Sequence, residues 1–284
     1  MIKEIIDKLV ALLAVSALLA SCSESELWQN PQTEARDGYI MLNFKTEIPA
    51  MQEVVTRAVD PDGGGVQDMT LFCFDSYGLF ISTVKAGVTV QKPGPGEMEG
   101  TFKAEVPENT RTIHFLANQN MDEFKEDSFR NKSESEVMAV LEGSSGRMIY
   151  WGRFACDAGN DSNIAEQMAT SGNSVKLIRN HARISVDNPD NNGHIVITGF
   201  AVCNTNAFGT VAPHHPKKGF DFTWPSSDDP FVTLPVNDAK MSDITDVTSS
   251  MNQYVFECEN SADAPVSVIL RGHLPDQDEE KYYL

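Results

Sequence analysis

Short apolar stretches alternate with turn-rich segments along most of this chain, and this pattern limits the folds that it can adopt. In "GYIMLNFKTEI", Ile40, Leu42 and Phe44 recur at every second position, which is typical of a strand with one buried face. The stretch "DMTLFCFD" is apolar on both faces, as expected of a strand covered on both sides. Similar stretches are "TFKAEVP", "RTIHFLANQN", "RMIYWGRF", "SVKLIRNHARISV", "HIVITGFAVCN", "YVFECEN" and "VSVILRGHL". Many short strands at a spacing of roughly 8–12 residues predict β-sandwich domains rather than an α/β fold.

One segment, "SESEVMAVLEG", predicts a short helix. Ser133 or Ser135 precedes Glu136 in the manner of a capping box, and an apolar stripe and Gly143 follow.

The chain length of 284 residues suits two domains of about 100–150 residues each. The strongest turn signal is "DNPDNNG", where we place the domain boundary. A hairpin inside a single domain is the alternative at this point.

The first residues have the layout of an export signal. Lys3 and Lys8 precede an apolar run from Leu9 to Leu19, which is shorter than the roughly 20 residues that a membrane-spanning helix needs. The order Leu-Ala-Ser-Cys that ends at Cys22 resembles a bacterial lipobox, so residues 1–21 are predicted to be removed and Cys22 to be acylated. An ordinary secretory signal with an incidental cysteine is the alternative. The polar, acidic residues that follow are predicted to form a tether.

The cysteines and histidines give no sign of a metal site, and no cofactor is expected. Cys73, Cys156, Cys203 and Cys258 form no CxxC pair and lie at no zinc-site spacing. Those inside apolar runs are predicted to be buried free thiols. His214 and His215 are adjacent, so on a strand they would point to opposite faces, and we expect them to be solvated.

Composition and motifs exclude several classes of function. A net charge of −19 argues against a nucleic-acid-binding protein, which needs a basic surface. The sequence has no HExxH, GxSxG, P-loop or GxGxxG motif, so we name no catalytic residue and predict that the chain is not an enzyme. Trp151 is predicted to lie in the core. Trp28, Trp151 and Trp224 are too scattered in sequence to indicate a ligand platform.

Taken in order, several segments together resemble the fimbrillin family, the lipoprotein pilus subunits of Bacteroidales-type fimbriae. They are the lipobox at Cys22, "GYIMLNFKTEI", "TRA" at Arg57, "MTLFCFDSYG", "RTIHFLANQN", "VKLIRNHARISV", "ITGFAVCNTNAFGTVAP", "YVFECENSADAPVSVILRGHL" and "KYYL". Each segment is a weak signal, and the ordered series is more specific.

The resemblance implies a mainly β chain made of two transthyretin-like β-sandwich domains with one or two short helices. It implies a signal peptide at 1–21, a tether at 22–38, an N-terminal sandwich at 39–190 and a C-terminal sandwich at 191–284. It also implies that an arginine-specific protease cuts between Arg57 and Ala58, so that an excisable first strand (39–57) leaves with Ile40, Leu42 and Phe44. A strand of another pilus subunit then fills the groove by donor-strand insertion, and the product is an adhesive fimbrium on the outer membrane.

The chain departs from the family at its end. Family members continue for several strands beyond the segment that corresponds to "KYYL", whereas this sequence stops at Leu284. Either the sequence is truncated or this member cannot donate a strand. We favour truncation and therefore expect the C-terminal domain to be incomplete. Within the same system the chain could instead be a pilus anchor or a tip accessory lipoprotein. A glycan-binding surface lipoprotein is a further alternative, of a different class.

Overall fold

The structure is a computed structural model, and it describes the chain in separate ranges. These are residues 35–48, 66–93, 98–122, 124–144, 148–186, 195–214, 231–238, 241–246 and 253–284. The predicted signal peptide, Cys22, Trp28, Arg57, Ala58, His215 and Trp224 lie outside the described residues. So does most of the predicted tether, of which residues 35–38 are described.

The described chain is mainly β, as predicted. Up to residue 186 the strands are β1 (Tyr39–Glu47), β2 (Met69–Phe74), β3 (Phe80–Lys85), β4 (Gly87–Pro93), β5 (Met98–Pro107), β6 (Thr112–Ala117), β7 (Glu142–Ser144), β8 (Tyr150–Ala155), β9 (Ser174–Lys176), β10 (Ile178–Arg179) and β11 (His181–Ile184). They are followed by β12 (Val196–Cys203), β13 (Phe208–Thr210), β14 (Thr245–Asp246), β15 (Gln253–Phe256), β16 (Ser267–His273) and β17 (Lys281–Tyr283). The helices are a 3-10 helix (Glu126–Phe129), α1 (Glu134–Ala139) and α2 (Ile164–Thr170).

Two sheets form a β-sandwich in the first part of the chain. The first sheet has the strand order β4-β5-β1-β9, and the second has the order β10-β8-β6-β2-β3. The main core between them contains Leu42, Phe44 and Phe102 from the first sheet and Leu71 and Phe115 from the second. Burial of these apolar side chains is the largest favourable contribution to folding.

The second sheet is covered on both faces. All six residues of β2 are buried, as its doubly apolar sequence predicts. On the face away from the sandwich, Phe72 and Trp151 belong to a second core with Phe129 of the 3-10 helix and Val137 of α1. Phe231, from the C-terminal part of the chain, joins the same core. The predicted burial of Trp151 is confirmed, since its side chain is fully buried.

The helices illustrate how capping residues define an element. At the start of α1, the Ser133 side chain accepts a hydrogen bond from the Glu136 backbone, and the Glu136 carboxylate accepts one from Ser133, which confirms the predicted capping box. Helix α2 was not predicted. It begins at the same kind of box, in which Asn163 and Glu166 make the reciprocal bonds.

One strand prediction is wrong. "SVKLIRNHARISV" alternates like a single strand, but the structure divides it into β9, β10 and β11, which lie in three different sheets. The reason is that each piece pairs with a distant partner: β9 with β1, β10 with β8, and β11 with β15. Such pairings depend on residues far away in sequence, which local alternation does not report.

The C-terminal part has a sheet in the order β14-β12-β16-β17. Strand pairing also crosses the predicted domain boundary, because β11 pairs with β15, and β7 pairs with β13. At the second crossing, Gly209 lies so close to Phe256 that an added Cβ would be 2.5 Å from the Cβ and Cγ atoms of that side chain. The division into domains at residue 191 stays a prediction.

Candidate functional site: the first strand and its groove

Strand β1 contributes alternate side chains to the sandwich core. The side chains of Ile40, Leu42 and Phe44 are 4%, 1% and 0% exposed, and Thr46 and Ile48 continue the same buried face. The residues between them point outward and are exposed or half-buried. The apolar stripe that the sequence predicts is therefore a buried face, and the residues predicted to point inward do so.

The Phe44 side chain contacts side chains of both sheets. Its ring stacks on Phe102 of β5, with centroids 5.5 Å apart and planes 18° apart. It also meets Phe115 of β6, in the opposite sheet, edge to face at 5.0 Å. Aromatic pairs in these geometries contribute about 0.5–1.5 kcal/mol beyond the burial of their area. We call the space that Ile40, Leu42, Phe44 and Thr46 fill between the sheets the slot of β1. Phe44 lies at its centre.

The facing side chains of β1 and β5 are complementary in size. Leu42 lies opposite Ala104, and Thr46 lies opposite Gly100. A Cβ added at Gly100 would stand 2.5 Å from Cε2 of Phe102 and 3.2 Å from Oγ1 of Thr46. The Phe102 ring therefore covers Gly100, and the fully buried Thr46 lies against the same glycine.

The two sides of β1 differ in how much strand they contact. On one side β5 pairs with it antiparallel over eight positions, from Tyr39 to Thr46. On the other side β9 pairs with it, in parallel, only from Lys45 to Glu47. No other strand in the described part of the chain pairs with β1. Most of β1 therefore borders one neighbour, and removing it breaks one long ladder and one short one.

The start of β1 is held by an ion pair. The backbone N–H of Arg36 donates to Oε1 of Glu105 at 2.6 Å, and its Nε donates to Oε2 at 2.7 Å. The guanidinium also lies over the ring of Tyr39, 4.3 Å from the centroid. The hydrogen bond from the Arg36 backbone lowers the pKa of the Glu105 carboxyl. We refer to this contact as the Arg36 latch.

The predicted cleavage site lies in the connection that follows β1. Ile48 is buried, and the next described residue is Val66, which is also buried and belongs to the same core. Arg57 and Ala58 belong to residues 49–65, which join β1 in one sheet to β2 in the other. Cleavage between them would separate β1 from all later strands of the chain.

A buried polar cluster that sequence analysis missed lies on the other face of the second sheet. Nε2 of His114 lies 2.7 Å from Oε2 of Glu134, and Nδ1 of the same ring accepts a hydrogen bond from Trp151 Nε1 at 3.1 Å. Arg153 donates to both Glu134 oxygens, at 2.6 and 3.0 Å. A histidine in "TIHFLA" and an arginine in "YWGRF", each in an otherwise apolar strand, were the available signals.

The electrostatics of this cluster indicate a structural role. Burial raises the pKa of Glu134, but the hydrogen bonds from His114 and Arg153 outweigh it and bring that pKa to about 2. Burial lowers the pKa of His114. Both nitrogens of its ring contact protein partners and the side chain is fully buried, so the ring is closed to a substrate. The cluster ties α1, through Glu134, to strands β6 and β8.

The remaining candidate residues are the cysteines and His214. Cys73, Cys156, Cys203 and Cys258 are free thiols, and burial raises the pKa of Cys73 to about 12, so it is not a reactive thiolate. The backbone N–H of His214 donates to Glu257, and its Nδ1 lies 2.5 Å from the carbonyl oxygen of Val232. Among the described residues, no group of His, Cys, Asp or Glu could hold a metal ion.

Within the described ranges, no helix combines the length and the apolar character that a membrane span requires.

Comparison with solved structures finds similarity to fimbrial proteins. No protein-family model matches the sequence, and no curated protein sequence matches it. One similar solved structure is a fimbrial assembly protein from Parabacteroides distasonis, at 13% identity and a TM-score of 0.45, covering 86% of this chain and 85% of that one. Another is the tip fimbrial protein Mfa3 from Porphyromonas gingivalis with a C-terminal truncation, at 14% identity and a TM-score of 0.47, covering 85% and 80%. Both are fimbrial proteins, which is the class that the sequence resemblance predicts. At identities of 13% and 14% and TM-scores below 0.5, this similarity gives no evidence about the function of the chain.

Proposed function

We propose that this chain is a structural subunit of a cell-surface pilus, in which β1 is removed by a protease and replaced by a strand from a neighbouring subunit. An arginine-specific protease cuts between Arg57 and Ala58, and β1 leaves with the segment that precedes the cut. The assembled product is an adhesive fimbrium. The two-sandwich organisation, with a second transthyretin-like domain from residue 191, is part of the same proposal.

One observation carries this proposal: β1 places a deeply buried stripe in the core, yet pairs along most of its length with a single strand. Its inner side chains are as buried as any in the sandwich. Each is worth about 1.5–3 kcal/mol when it is removed from water. Leaving the slot empty therefore costs free energy, because its apolar walls are exposed to water. A strand that refills it binds tightly. Main-chain hydrogen bonds to β5 supply affinity, and the alternating pockets supply register.

The N-terminal sequence supports a route to the cell surface. The proposed signal peptide (1–21) exports the chain, and acylation at Cys22 tethers the precursor to the outer membrane. The lipid lies on the β1 side of Arg57, so the same cut frees the subunit from its tether and opens the slot. Release and activation are thus coupled in one step.

The test is digestion of the purified full-length precursor with an arginine-specific protease, followed by N-terminal sequencing. We expect a mature N-terminus at Ala58. Arg57→Lys keeps the charge but removes the specificity determinant, so this variant should stay uncut there. Arg36→Lys, on the other side of β1, is the matched control and should be cut after Arg57 like the wild type. Cleavage only at other arginines would contradict the proposal.

The anchor alternative gives a different outcome in the same experiment. An anchor keeps its lipid and its first strand, so it would resist cleavage after Arg57, and mass spectrometry of protein from cells would find Cys22 acylated on the intact chain. The glycan-binding alternative gains no support from Trp151, which is buried in the core, and Trp28 and Trp224 lie outside the described residues.

A further inference from the structure

We infer that the slot left by β1 accepts a strand in one register only, with an aromatic side chain opposite Phe102 and, two residues later, a side chain no larger than threonine opposite Gly100. This inference rests on the proposed function, because it concerns the strand that replaces β1. It specifies the partner as a segment of alternating sequence: apolar, apolar, aromatic, small, with one outward-facing residue between each.

The aromatic position follows from the surroundings of Phe44. Phe102 stacks on its face and Phe115 meets it edge to face, so the pocket is bounded by two aromatic rings from opposite sheets. Both of those side chains are fully buried. A smaller side chain there leaves a cavity, and the surrounding core relaxes only partially around such cavities.

The small position follows from Gly100. The ring of Phe102 leans over this glycine so closely that even a Cβ on residue 100 would collide with it. The same ring must stay in place to stack on the incoming aromatic side chain. Thr46 is fully buried here, against Val175 of β9 in the register of the parallel pair. A leucine or phenylalanine at this position has to enter a site that Thr46 already fills, and it would overpack that site.

The order of the two positions removes alternative registers. A shift of one residue would turn the outward face of the strand into the core. A shift of two residues would place the aromatic side chain opposite either Ala104 or Gly100. Opposite Ala104 the buried pocket holds Leu42, and opposite Gly100 it holds the smaller Thr46, so neither is shaped for an aromatic ring. The large and small positions together therefore fix the register.

The test uses labelled peptides and the full-length precursor after cleavage at Arg57. The cut β1 segment is released in moderate denaturant with excess peptide, and binding after dilution is measured by fluorescence anisotropy. The reference peptide is the chain's own segment, "GYIMLNFKTEI". Because only the peptides are varied, none of the substitutions can affect the folding of the protein.

The peptide variants separate register from general hydrophobicity. Phe44→Ala should weaken binding by about 100-fold or more. The exchange Leu42→Phe with Phe44→Leu keeps the composition and should also weaken binding strongly. Thr46→Leu should weaken it by about 10-fold, because the site becomes overpacked. Lys45→Ala, on the outward face, is the matched control and should bind within about 2-fold of the reference peptide.

The outcomes distinguish the two proposals. Suppose that the reference peptide binds and that the Leu42→Phe/Phe44→Leu and Thr46→Leu peptides bind equally well. The register inference is then wrong, while the proposal that β1 can be replaced keeps its support. If the reference peptide does not bind to the cut protein, strand replacement itself fails, and the register inference fails with it.

Discussion

Phe44 on β1 and Phe102 on β5 lie directly opposite each other in the strand register and stack with their ring centroids 5.5 Å apart. This pair lies where the first strand meets the rest of the sandwich. Both rings are fully buried, so the energy of the contact depends on β1 being in place. The stability of the precursor should therefore respond strongly to changes at this pair.

The first prediction is that Phe44→Ala destabilises the uncut chain by about 3–5 kcal/mol. The substitution removes both ring contacts and leaves a cavity between the sheets. Urea unfolding followed by circular dichroism measures the loss. Lys45→Ala, the next residue on the exposed face, is the control and should change stability by less than about 0.5 kcal/mol. Equal effects of the two substitutions would show that β1 is not packed as described.

The second prediction concerns the Arg36 latch. Arg36 resists an arginine-specific protease in the folded precursor, although its side chain is 68% exposed. Its backbone N–H is bonded to Glu105, and its carbonyl oxygen accepts a hydrogen bond from the Tyr39 backbone at 3.0 Å, which holds the segment in a turn. Proteases act preferentially on loosely held loop tips rather than on such constrained backbone.

Removing the latch should expose this second site. Glu105→Ala should increase the rate of cleavage after Arg36 several-fold, as measured by mass spectrometry of timed digests. Lys103→Ala is the matched control, because it removes a charged side chain two residues away on the same face of β5 and keeps the Glu105 carboxylate that binds Arg36. Rapid cleavage after Arg36 in the wild-type chain would contradict this prediction.

The elements that sequence analysis predicted are those with a strong local signal. The period-two stripe of β1, the doubly apolar β2 and the capping box of α1 each follow from adjacent residues. Helix α2 has an equivalent capping-box signal in Asn163 and Glu166, but it is only seven residues long and follows a polar loop, so its apolar periodicity is too short to indicate a helix. Local chemistry was therefore sufficient for most of the strands.

The rest depends on contacts between residues that are distant in sequence. The division of "SVKLIRNHARISV" into three strands is set by their separate partners in β1, β8 and β15. The Arg36 latch joins residues 69 positions apart, and the His114–Glu134 contact joins residues 20 apart. The buried stripe of the candidate site was predictable, whereas its aromatic pocket and its latch required the pairing of β1 with β5.

The third prediction compares a buried ion pair with an exposed one. Arg153 and Glu134 have side chains that are 5% and 13% exposed, whereas Arg130 and Asp127 are 74% and 86% exposed. Arg153→Met leaves the Glu134 carboxylate without its cation and should cost about 3–5 kcal/mol of stability. Arg130→Met should cost less than about 0.5 kcal/mol. Urea unfolding of the two variants gives both values, and similar losses would contradict the structural role of the cluster.

The fourth prediction is that stability declines as the pH falls from about 6.5 toward 4. Burial lowers the pKa of His181 to about 4, from an ordinary value of 6.5, and burial also lowers the pKa of His114. In this range the unfolded chain binds protons that the folded chain excludes, so the stability present above pH 6.5 is lost progressively as the solution becomes more acidic. A shift of this size in His181 corresponds to about 3 kcal/mol, at about 1.4 kcal/mol for each pKa unit.

Urea unfolding at several pH values and constant ionic strength measures this decline. His181→Gln removes the titrating group beside Phe256 and should flatten the profile between pH 6.5 and 4, while the contribution of His114 remains. Below pH 4.5, protonation of the carboxylates in the unfolded chain adds a further loss, because the pKa of Glu134 in the folded chain is about 2. A profile that is flat from pH 6.5 to 4, or one that His181→Gln leaves unchanged, would show that His181 is accessible to solvent protons in the folded chain.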